Sequence, residues 1–352
     1  MKKFFSVLMM ITFVAFTTIV FAAEKPTAGL VLVGPKSDGG WSMRHYQGMK
    51  ESGYEFDVVE AVAETESERV FRNLARKHDV VFGTSFGYME SMLNVAKKFP
   101  DVKFMHATGF KTAENMNNYN CRLFQARYLA GVAAGLLTKT NKIGFVGSHP
   151  IPEIISNINA ATLGAKSVNP DVEVSIVWIN SWFDPSKDAA AADALHTSGV
   201  DVFFTTTDSP SVVMLAQKKS TPENPLWGMG NDAPMNSFGP DRYATGPMFN
   251  WDVYYKHVMK TVEDGTWEVD TPFWGMERGC VDLSPWGPNV PESVKSFVEV
   301  EKAKFVSGEY DASFPFSRGY MRQDGRIVPP GSGRSEIDSM DHYVDGVTTQ
   351  MQ

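Results

Sequence analysis

Short apolar segments alternate with helix-like segments along most of this sequence, and this alternation constrains the fold more than any other feature. The strand-like runs GLVLVG (29–34) and DVVFGTS (79–85) are each followed by a helical pattern. The series starts again at KIGFVGS (142–148) and continues through EVSIVWIN (173–180) and VDVFFTTT (200–207). Strands separated by single helices imply right-handed crossovers and parallel sheets. The sequence therefore predicts an α/β fold with two doubly wound parallel-sheet lobes joined by a hinge.

The second start of the alternation, near residues 139–141, marks the predicted boundary between the lobes. The segment LTKTNK at this point is interpreted as the first hinge crossing. The helix-like WDVYYKHVMKTVEDG (251–265) and the strand-like FWGMERGCVDL (273–283) are expected to return to the first lobe. The predicted domains are a signal peptide at 1–22, lobe 1 at 23–139 plus about 247–312, and lobe 2 at 140–246 plus about 313–352.

The sequence begins MKKFFSVLMMITFVAFTTIVFAA, which is typical of a secretory signal peptide. Lys2 and Lys3 precede an uncharged stretch, and small residues end it at Ala22 or Ala23. A membrane anchor is the alternative, because the apolar run is almost long enough to span a bilayer. No cysteine lies near the cleavage point, so lipid attachment is not expected. We expect a soluble, unlipidated protein of the periplasm.

Charge and cysteine usage narrow the possible partners. The chain carries 33 lysines and arginines against 41 aspartates and glutamates, a net charge of −8. This balance argues against nucleic acid or an anionic membrane surface as the partner. Cys121 and Cys280 have no CxxC partner or metal-ligand neighbour, and no histidine has a metal-ligand spacing, so no metal is expected. No cofactor is expected either, since the sequence has no P-loop or GxGxxG pattern. Two buried thiols are the favoured interpretation, and a disulfide in an oxidising compartment is the alternative.

Aromatic and acidic residues follow the carboxyl ends of several predicted strands, where ligands bind in open α/β sheets. Aromatic faces can sandwich a flat ring, and carboxylates or amides can accept its N–H or O–H donors. The pattern predicts a cleft between the lobes that binds a planar polar ligand. The candidate ligand-binding residues are Gly40, Trp41, Phe86, Tyr88, Glu90, Trp182, Phe183, Asp208, Asp232, Asn250 and Trp251.

Each of these residues also has a purely structural interpretation. Any single aromatic residue among them could belong to an ordinary core. Asp38, Asp184 and Asp208 could simply cap helices. Capping is the favoured interpretation for Asp184, because Pro185 follows it as at the start of a helix.

Most motifs for catalysis are absent from the sequence. It contains no HExxH, P-loop or GxGxxG pattern, and its one GxSxG match is GTSFG (83–87). The seven histidines are scattered, and His149, which follows a predicted strand, is the best general-base candidate. The DGGW segment is not the tight aspartate cluster with which α/β nucleoside hydrolases begin. These observations favour a binding protein over an enzyme and give no catalytic residue.

Several longer segments, spread over nearly the whole chain after the signal peptide, carry a family resemblance. They include VGPKSDGGWS, VFGTSFGYME, ARYLAGVAAGLLTKTNKIGFVG, WINSWFDPSKD and NSFGPDRYATGPMFNW. With them the sequence resembles the basic membrane protein (BMP) family of substrate-binding proteins, also called the purine nucleoside receptor family. The resemblance implies a type I periplasmic binding fold and an ABC importer permease as partner. We expect a monomer that closes about its hinge. It implies purine nucleosides as ligands, or purine bases such as adenine in members of the GGW and NSW type.

The resemblance also implies roles for single residues. Trp41 would line the cleft from the first lobe, and Phe86 matches an aromatic position of its motif. Trp182 matches a phenylalanine that stacks on the base from the second lobe. Glu90 stands where nucleoside binders usually have aspartate. Asp232 lies in the segment that contacts the sugar hydroxyls.

Two departures from the family pattern bear on the ligand. Gly230 replaces the first aspartate of a GYDSD-like segment, and Phe249-Asn250-Trp251 stand where the family has a cleft lysine. Both losses remove groups that bind ribose and favour a free purine base. A nucleoside receptor, a periplasmic enzyme acting on nucleosides and a sensory ligand-binding module stay open as alternatives.

Overall fold

The computed structural model describes residues 25–351, and the predicted signal peptide therefore lies outside the described residues. Between residues 25 and 351, no helix combines the length and the apolar character that crossing a bilayer requires. Two parallel sheets dominate the architecture, as the alternation of strands and helices predicts. We call the body built on the six-stranded sheet lobe 1 and the body built on the five-stranded sheet lobe 2.

Lobe 1 contains the amino-terminal βα series. Four-residue apolar strands such as AGLV and VVFG are fully buried, as expected where helices cover both faces of a parallel sheet. The sheet has the order β11-β5-β4-β3-β1-β2 and all its pairs are parallel. Its first elements are β1 (Ala28–Val31), α1 (Trp41–Ser52), β2 (Phe56–Val59), α2 (Ser67–Leu74), β3 (Val80–Gly83), α3 (Met89–Ala96), β4 (Lys103–Ala107) and β5 (Met116–Cys121).

Lobe 2 repeats the series after the connecting helix α4 (Leu123–Leu137). Its sheet has the order β15-β7-β6-β8-β9, again with parallel pairs only. The elements that follow α4 are β6 (Lys142–Gly147), α5 (Pro152–Val168), β7 (Glu173–Trp178), α6 (Pro185–Thr197), β8 (Val202–Thr205), α7 (Ser211–Lys219) and β9 (Trp227–Gly228).

Helices α4 and α5 pack through small residues. A Cβ added at Gly131 of α4 would lie 2.1 Å from the carbonyl oxygen of Ala161 in α5. One added at Gly164 of α5 would lie 2.1 Å from the carbonyl oxygen of Tyr128. The two backbones approach so closely that glycine is required at both positions. This contact explains why the LAGVAAG and AATLGA segments are so poor in large side chains.

The rest of the chain adds elements to both sheets. The short strand β11 pairs with β5 of lobe 1, whereas β15 pairs with β7 of lobe 2. The residue bounds predicted for the two lobes stay a prediction. The remaining elements are β10 (Pro247–Phe249), α8 (Trp251–Glu263), β11 (Phe273–Trp274), β12 (Val281–Leu283), α9 (Glu292–Ser307), β13 (Tyr320–Met321), β14 (Ile327–Val328), α10 (Arg334–Asp338) and β15 (Val347–Met351).

The two cysteines form a disulfide. Cys121 ends β5, and Cys280 precedes β12, with 6.0 Å between their Cα atoms. The favoured interpretation of two free buried thiols is therefore wrong. The segment after α8 returns to lobe 1 and brings together two positions that lie 159 residues apart in the sequence.

Candidate functional site

The amino terminus of α1 is one of the places where the two lobes bond to each other. The first amides of a helix have no partner within the helix. The Asp38 carboxylate accepts from the amides of Ser42 at 2.8 Å and Met43 at 3.0 Å. Asp208, which follows β8 in lobe 2, accepts from the Trp41 amide at 2.8 Å. A carboxylate of the opposite lobe therefore completes the cap of this helix.

Gly40 makes that approach possible. A Cβ at this position would lie 2.2 Å from Oδ1 of Asp208, well inside van der Waals contact. The preceding Gly39 has φ +91°, a backbone conformation that other residues rarely adopt. The glycine pair of the DGGW segment therefore serves the contact between the lobes as well as the turn.

Buried acidic groups gather at this contact. Burial, together with Asp38 and Asp232, raises the pKa of Asp208 well above its usual range. Burial raises the pKa of Asp232 to about 7, and the buried guanidinium of Arg127 opposes that shift. Arg127 donates to the side-chain oxygen of Asn231, next to Asp232. The contact between the lobes thus holds acidic groups that retain their proton to a higher pH than an exposed carboxyl group does.

Trp41 is built into lobe 1. Its ring is half-buried, and its indole Nε1 donates to the carbonyl oxygen of Thr84 at 2.6 Å. The edges of His45, Phe249 and Trp251 meet the ring at centroid distances of 4.4, 5.4 and 5.6 Å. Trp251 itself stacks between His45 and Phe249 and has no exposed surface, so it is a core residue of lobe 1 in this structure.

Trp182 lies open on lobe 2. Its side chain is 43% exposed, and its ring contacts His149 at a centroid distance of 4.8 Å. Its carbonyl oxygen accepts from the amide of Asp208 at 3.0 Å. Asp208 therefore hydrogen-bonds to the backbones of both Trp41 and Trp182. The neighbouring Phe183 is also exposed.

Asp184 caps α6. Its Oδ1 accepts from the amide of Lys187 at 3.1 Å, which confirms the capping interpretation. The carboxylate is thereby committed to the helix terminus.

The three predicted residues after β3 separate in space. Phe86 is 51% exposed and lies beside the exposed Phe110. Tyr88 is fully buried, and its hydroxyl donates to the carbonyl oxygen of Val62. Glu90 is exposed and forms an ion pair with Lys111. Phe86 is the one of these three whose ring lines the cavity described below.

Asn250 and Gly230 have structural partners. The side-chain Nδ2 of Asn250 donates to the carbonyl oxygen of Gly279 at 3.1 Å, and its Oδ1 accepts from Arg44 at 3.1 Å. A Cβ at Gly230 would lie 2.9 Å from the Tyr243 hydroxyl. The glycine that departs from the family pattern therefore makes room for this tyrosine.

A cavity of about 300 Å³ opens between the lobes beyond the ends of β4, β5 and β6. This volume lies at the lower end of the range for small-molecule sites. Across the cavity, Nδ2 of Asn120 in lobe 1 donates to Oε1 of Glu153 in lobe 2 at 3.3 Å. Burial raises the pKa of Glu153, and the Asn120 bond opposes that shift. Its lining includes Phe86, Phe110, Asn120, Phe124, Glu153 and Asn157.

Asn120, Glu153 and Asn157 are residues that the sequence-based site prediction missed. Glu153 follows β6 in the first turn of α5, so the rule that ligands bind beyond strand ends could have identified it. Asn120 lies inside β5, and only the tertiary structure places it at the cleft.

A second, shallower depression of about 500 Å³ lies on lobe 1. It is lined by Tyr54 and by lysines, of which Lys256 and Lys260 form ion pairs with Asp252 and Asp264. Its lining contains none of the predicted ligand-binding residues.

Comparisons with known proteins agree with this architecture. The family profile described as ABC transporter substrate-binding protein PnrA-like (Bmp) matches residues 25–310. A purine-binding protein from Brucella abortus is 39% identical over 341 residues, 94% of this chain and 95% of the relative. A putative ABC transporter glucose-binding protein from Haloferax volcanii is 40% identical over 294 residues, 82% of this chain and 74% of the relative.

A solved structure supports the fold. The solute-binding protein of an ABC transporter system from Conexibacter woesei superposes with a TM-score of 0.68 at 22% identity, covering 81% of this chain and 97% of the other. The type I periplasmic binding fold is thereby confirmed. The chain belongs to the Bmp family of PnrA-like ABC transporter substrate-binding proteins, as its motifs predict. It is a substrate-binding protein and not an enzyme.

Proposed function

We propose that this substrate-binding protein holds a purine base, adenine or a close analogue, between its lobes and delivers it to an inner-membrane ABC permease for import. The protein would be exported by its signal peptide and would act in the periplasm as an unlipidated monomer. The 39% identical relative that is named a purine-binding protein supports the ligand class.

The observation that carries the proposal is the cavity of about 300 Å³ between the lobes, with exposed aromatic rings around it. Phe86 and Phe110 line it from lobe 1. On lobe 2, Trp182 packs against His149, two residues before the lining residue Ile151. Aromatic surface left open in this way suits a flat ring better than a flexible chain.

Acidic acceptors favour a ring that offers N–H donors. Asp208, Asp232 and Glu153 are carboxyl groups at or near the contact between the lobes. Adenine has an exocyclic amine and a ring N–H, so it would satisfy buried acceptors that an acceptor-only edge would leave unpaired.

The tight packing of Gly230 argues against ribose as part of the ligand. A sugar-binding carboxylate at this position would collide with the Tyr243 hydroxyl, 2.9 Å from the Cβ site. Adenosine should therefore gain little over adenine.

Closure around the ligand would use the contact between Asp208 and the amide of Trp41. This bond joins residues 167 positions apart and requires the lobes to be close together. In a hinged receptor, ligand binding shifts the population toward the closed form by its differential affinity for that form.

Titration calorimetry on refolded, ligand-free protein tests the proposal. The ligands are adenine, adenosine, guanosine and, because of the Haloferax relative, glucose. We expect adenine to bind and adenosine to bind no more tightly. Adenosine or guanosine binding a hundredfold more tightly than adenine would establish the nucleoside alternative. Binding of glucose without any purine would refute the purine assignment.

A further inference from the structure

The carboxyl-terminal segment, residues 311–351, lies beyond the part of the chain that the family profile matches. It is anchored in lobe 2 by β15. Asn159 of α5 donates to the carbonyl oxygen of His342 at 2.8 Å and accepts from the amide of Val344 at 3.1 Å. Met340 is buried beside these bonds. The segment is therefore an integral part of lobe 2.

Helix α10 of this segment reaches from lobe 2 to lobe 1. Nη1 of Arg334 donates to the carbonyl oxygen of Thr271 at 3.0 Å. The guanidinium lies 4.7 Å from the ring centroid of Phe273. Phe273 belongs to β11, which pairs with Asn120 of β5 at the edge of the lobe 1 sheet. Arg334 thus spans the gap between α10 and the strand that borders the cavity.

The same helix forms part of the cavity wall. Arg334, Ile337 and Asp338 line the cavity together with Phe273 and Glu153. Ile337 is 3% exposed and packs into the core, which fixes the position of the helix. Nε of Arg334 donates to Oδ2 of Asp338, four residues later in the same helix, at 3.1 Å.

We propose that α10, held against Phe273 by Arg334, is a specificity-determining wall of the ligand cavity that limits the ligand to a compact ring. This inference rests on the proposed function, because it concerns the ligand of the same cavity. It assigns to the carboxyl-terminal segment the role of limiting ligand size at one side of the cleft.

The planarity of arginine is central to the inference. A guanidinium can stack on the Phe273 ring and donate to the Thr271 carbonyl at the same time, whereas an ammonium cannot present both a flat face and a fixed donor. Arg334→Lys should therefore retain the positive charge but lose the stacking on Phe273, and with it much of the contact between α10 and lobe 1. Arg334→Ala should lose both contacts of the guanidinium with lobe 1, although Ile337 still packs in the core.

Calorimetry with adenine and adenosine on the full chain tests the wall. We expect Arg334→Ala to narrow the adenine-to-adenosine affinity ratio at least fivefold, with Arg334→Lys intermediate. Arg326→Ala is the matched control, since Arg326 is an exposed arginine of the same segment and pairs with Asp324. An unchanged ratio in an Arg334→Ala protein that melts like the wild type would overturn the inference.

Hydrogen exchange of the ligand-free protein separates this inference from the proposed function. We expect the amides of residues 271, 273, 274 and 334–338 to exchange faster in Arg334→Ala than in Arg326→Ala. If the wild type bound no purine, the proposed function would fail, whatever the exchange rates. If the two variants exchanged at equal rates, Arg334 would not hold α10 against lobe 1, and the inference would fail whatever the wild type bound.

Discussion

The two tryptophans of the candidate site differ in how their lobes hold them. Trp41 of lobe 1 is bonded through its indole nitrogen to Thr84 and surrounded by aromatic edges. Trp182 of lobe 2 is 43% exposed and contacts the ring of His149. The ring of Trp41 is thus fixed within its own lobe, and the ring of Trp182 presents free aromatic surface.

An aromatic residue can contribute to ligand binding in a cleft in two ways, and the two tryptophans illustrate them. A ring fixed by its own lobe loses no rotational freedom on binding, so it offers a preorganised face. An exposed ring must be ordered when the ligand binds, but it can adjust its orientation to that ligand. Truncation of Trp41 should therefore lower stability, whereas truncation of Trp182 should mainly lower affinity.

The largest expected effect is that of Trp41→Ala on stability. Removing a packed aromatic ring typically costs about 3–5 kcal/mol, and because Trp41 is half-buried we expect about 2–4 kcal/mol. Denaturant unfolding of the ligand-free protein would measure this loss. Trp41→Phe is the control, because it keeps an aromatic ring and loses chiefly the bond to Thr84, worth about 1 kcal/mol. An alanine variant as stable as the wild type would refute the view that the Trp41 ring is a packed part of lobe 1.

Trp182→Ala should show the opposite pattern. We expect unfolding free energy within about 0.5 kcal/mol of the wild type, as for most surface substitutions. Adenine affinity should fall roughly tenfold to a hundredfold, because a stacking face is worth about 1–3 kcal/mol. Phe238→Ala, at another exposed aromatic residue of lobe 2, is the matched control for calorimetry. Equal adenine affinities in the two variants would remove Trp182 from the site.

Local patterns in the sequence were sufficient to predict the elements and their classes. The repeated strand and helix periodicity predicted two parallel sheets, and both exist. The Asp-Pro pair predicted the cap of α6, because a cap and its helix are adjacent in sequence. These features depend on a few neighbouring residues each.

Contacts between distant residues could not be predicted in the same way. Trp251 lies near the predicted return of the chain to lobe 1 at about residue 247, which suggested a place in the cleft, but α8 packs on α1 and the ring is buried. The bond between Asp208 and Trp41 and the disulfide of Cys121 with Cys280 join residues more than 150 positions apart. No local pattern distinguishes a residue that faces the other lobe from one that faces its own core.

The smallest expected effect concerns the contact between the two lobes, and it depends on pH. In this structure Asp208 is buried near Asp38 and Asp232, with Arg127 as the cation beside Asp232, and the pKa of Asp208 is raised well above its usual range. A carboxyl group whose pKa is higher in the closed form favours closure fully below its ordinary pKa. That contribution is lost as the pH rises through the raised value.

The pKa of Asp232, raised from 3.8 to about 7, defines the window for this prediction. Small-angle scattering of the ligand-free protein should show a more compact particle at pH 5 than at pH 8. Asp208→Asn keeps an oxygen that can accept from the Trp41 amide but removes the charge, so its radius should vary less with pH. Asp208→Ala loses the acceptor and should stay more open at both values. If the wild type were equally compact at pH 5 and pH 8, Asp208 and Asp232 at the contact between the lobes would play no part in closure. The two lobes would then differ at the site only in how they hold Trp41 and Trp182.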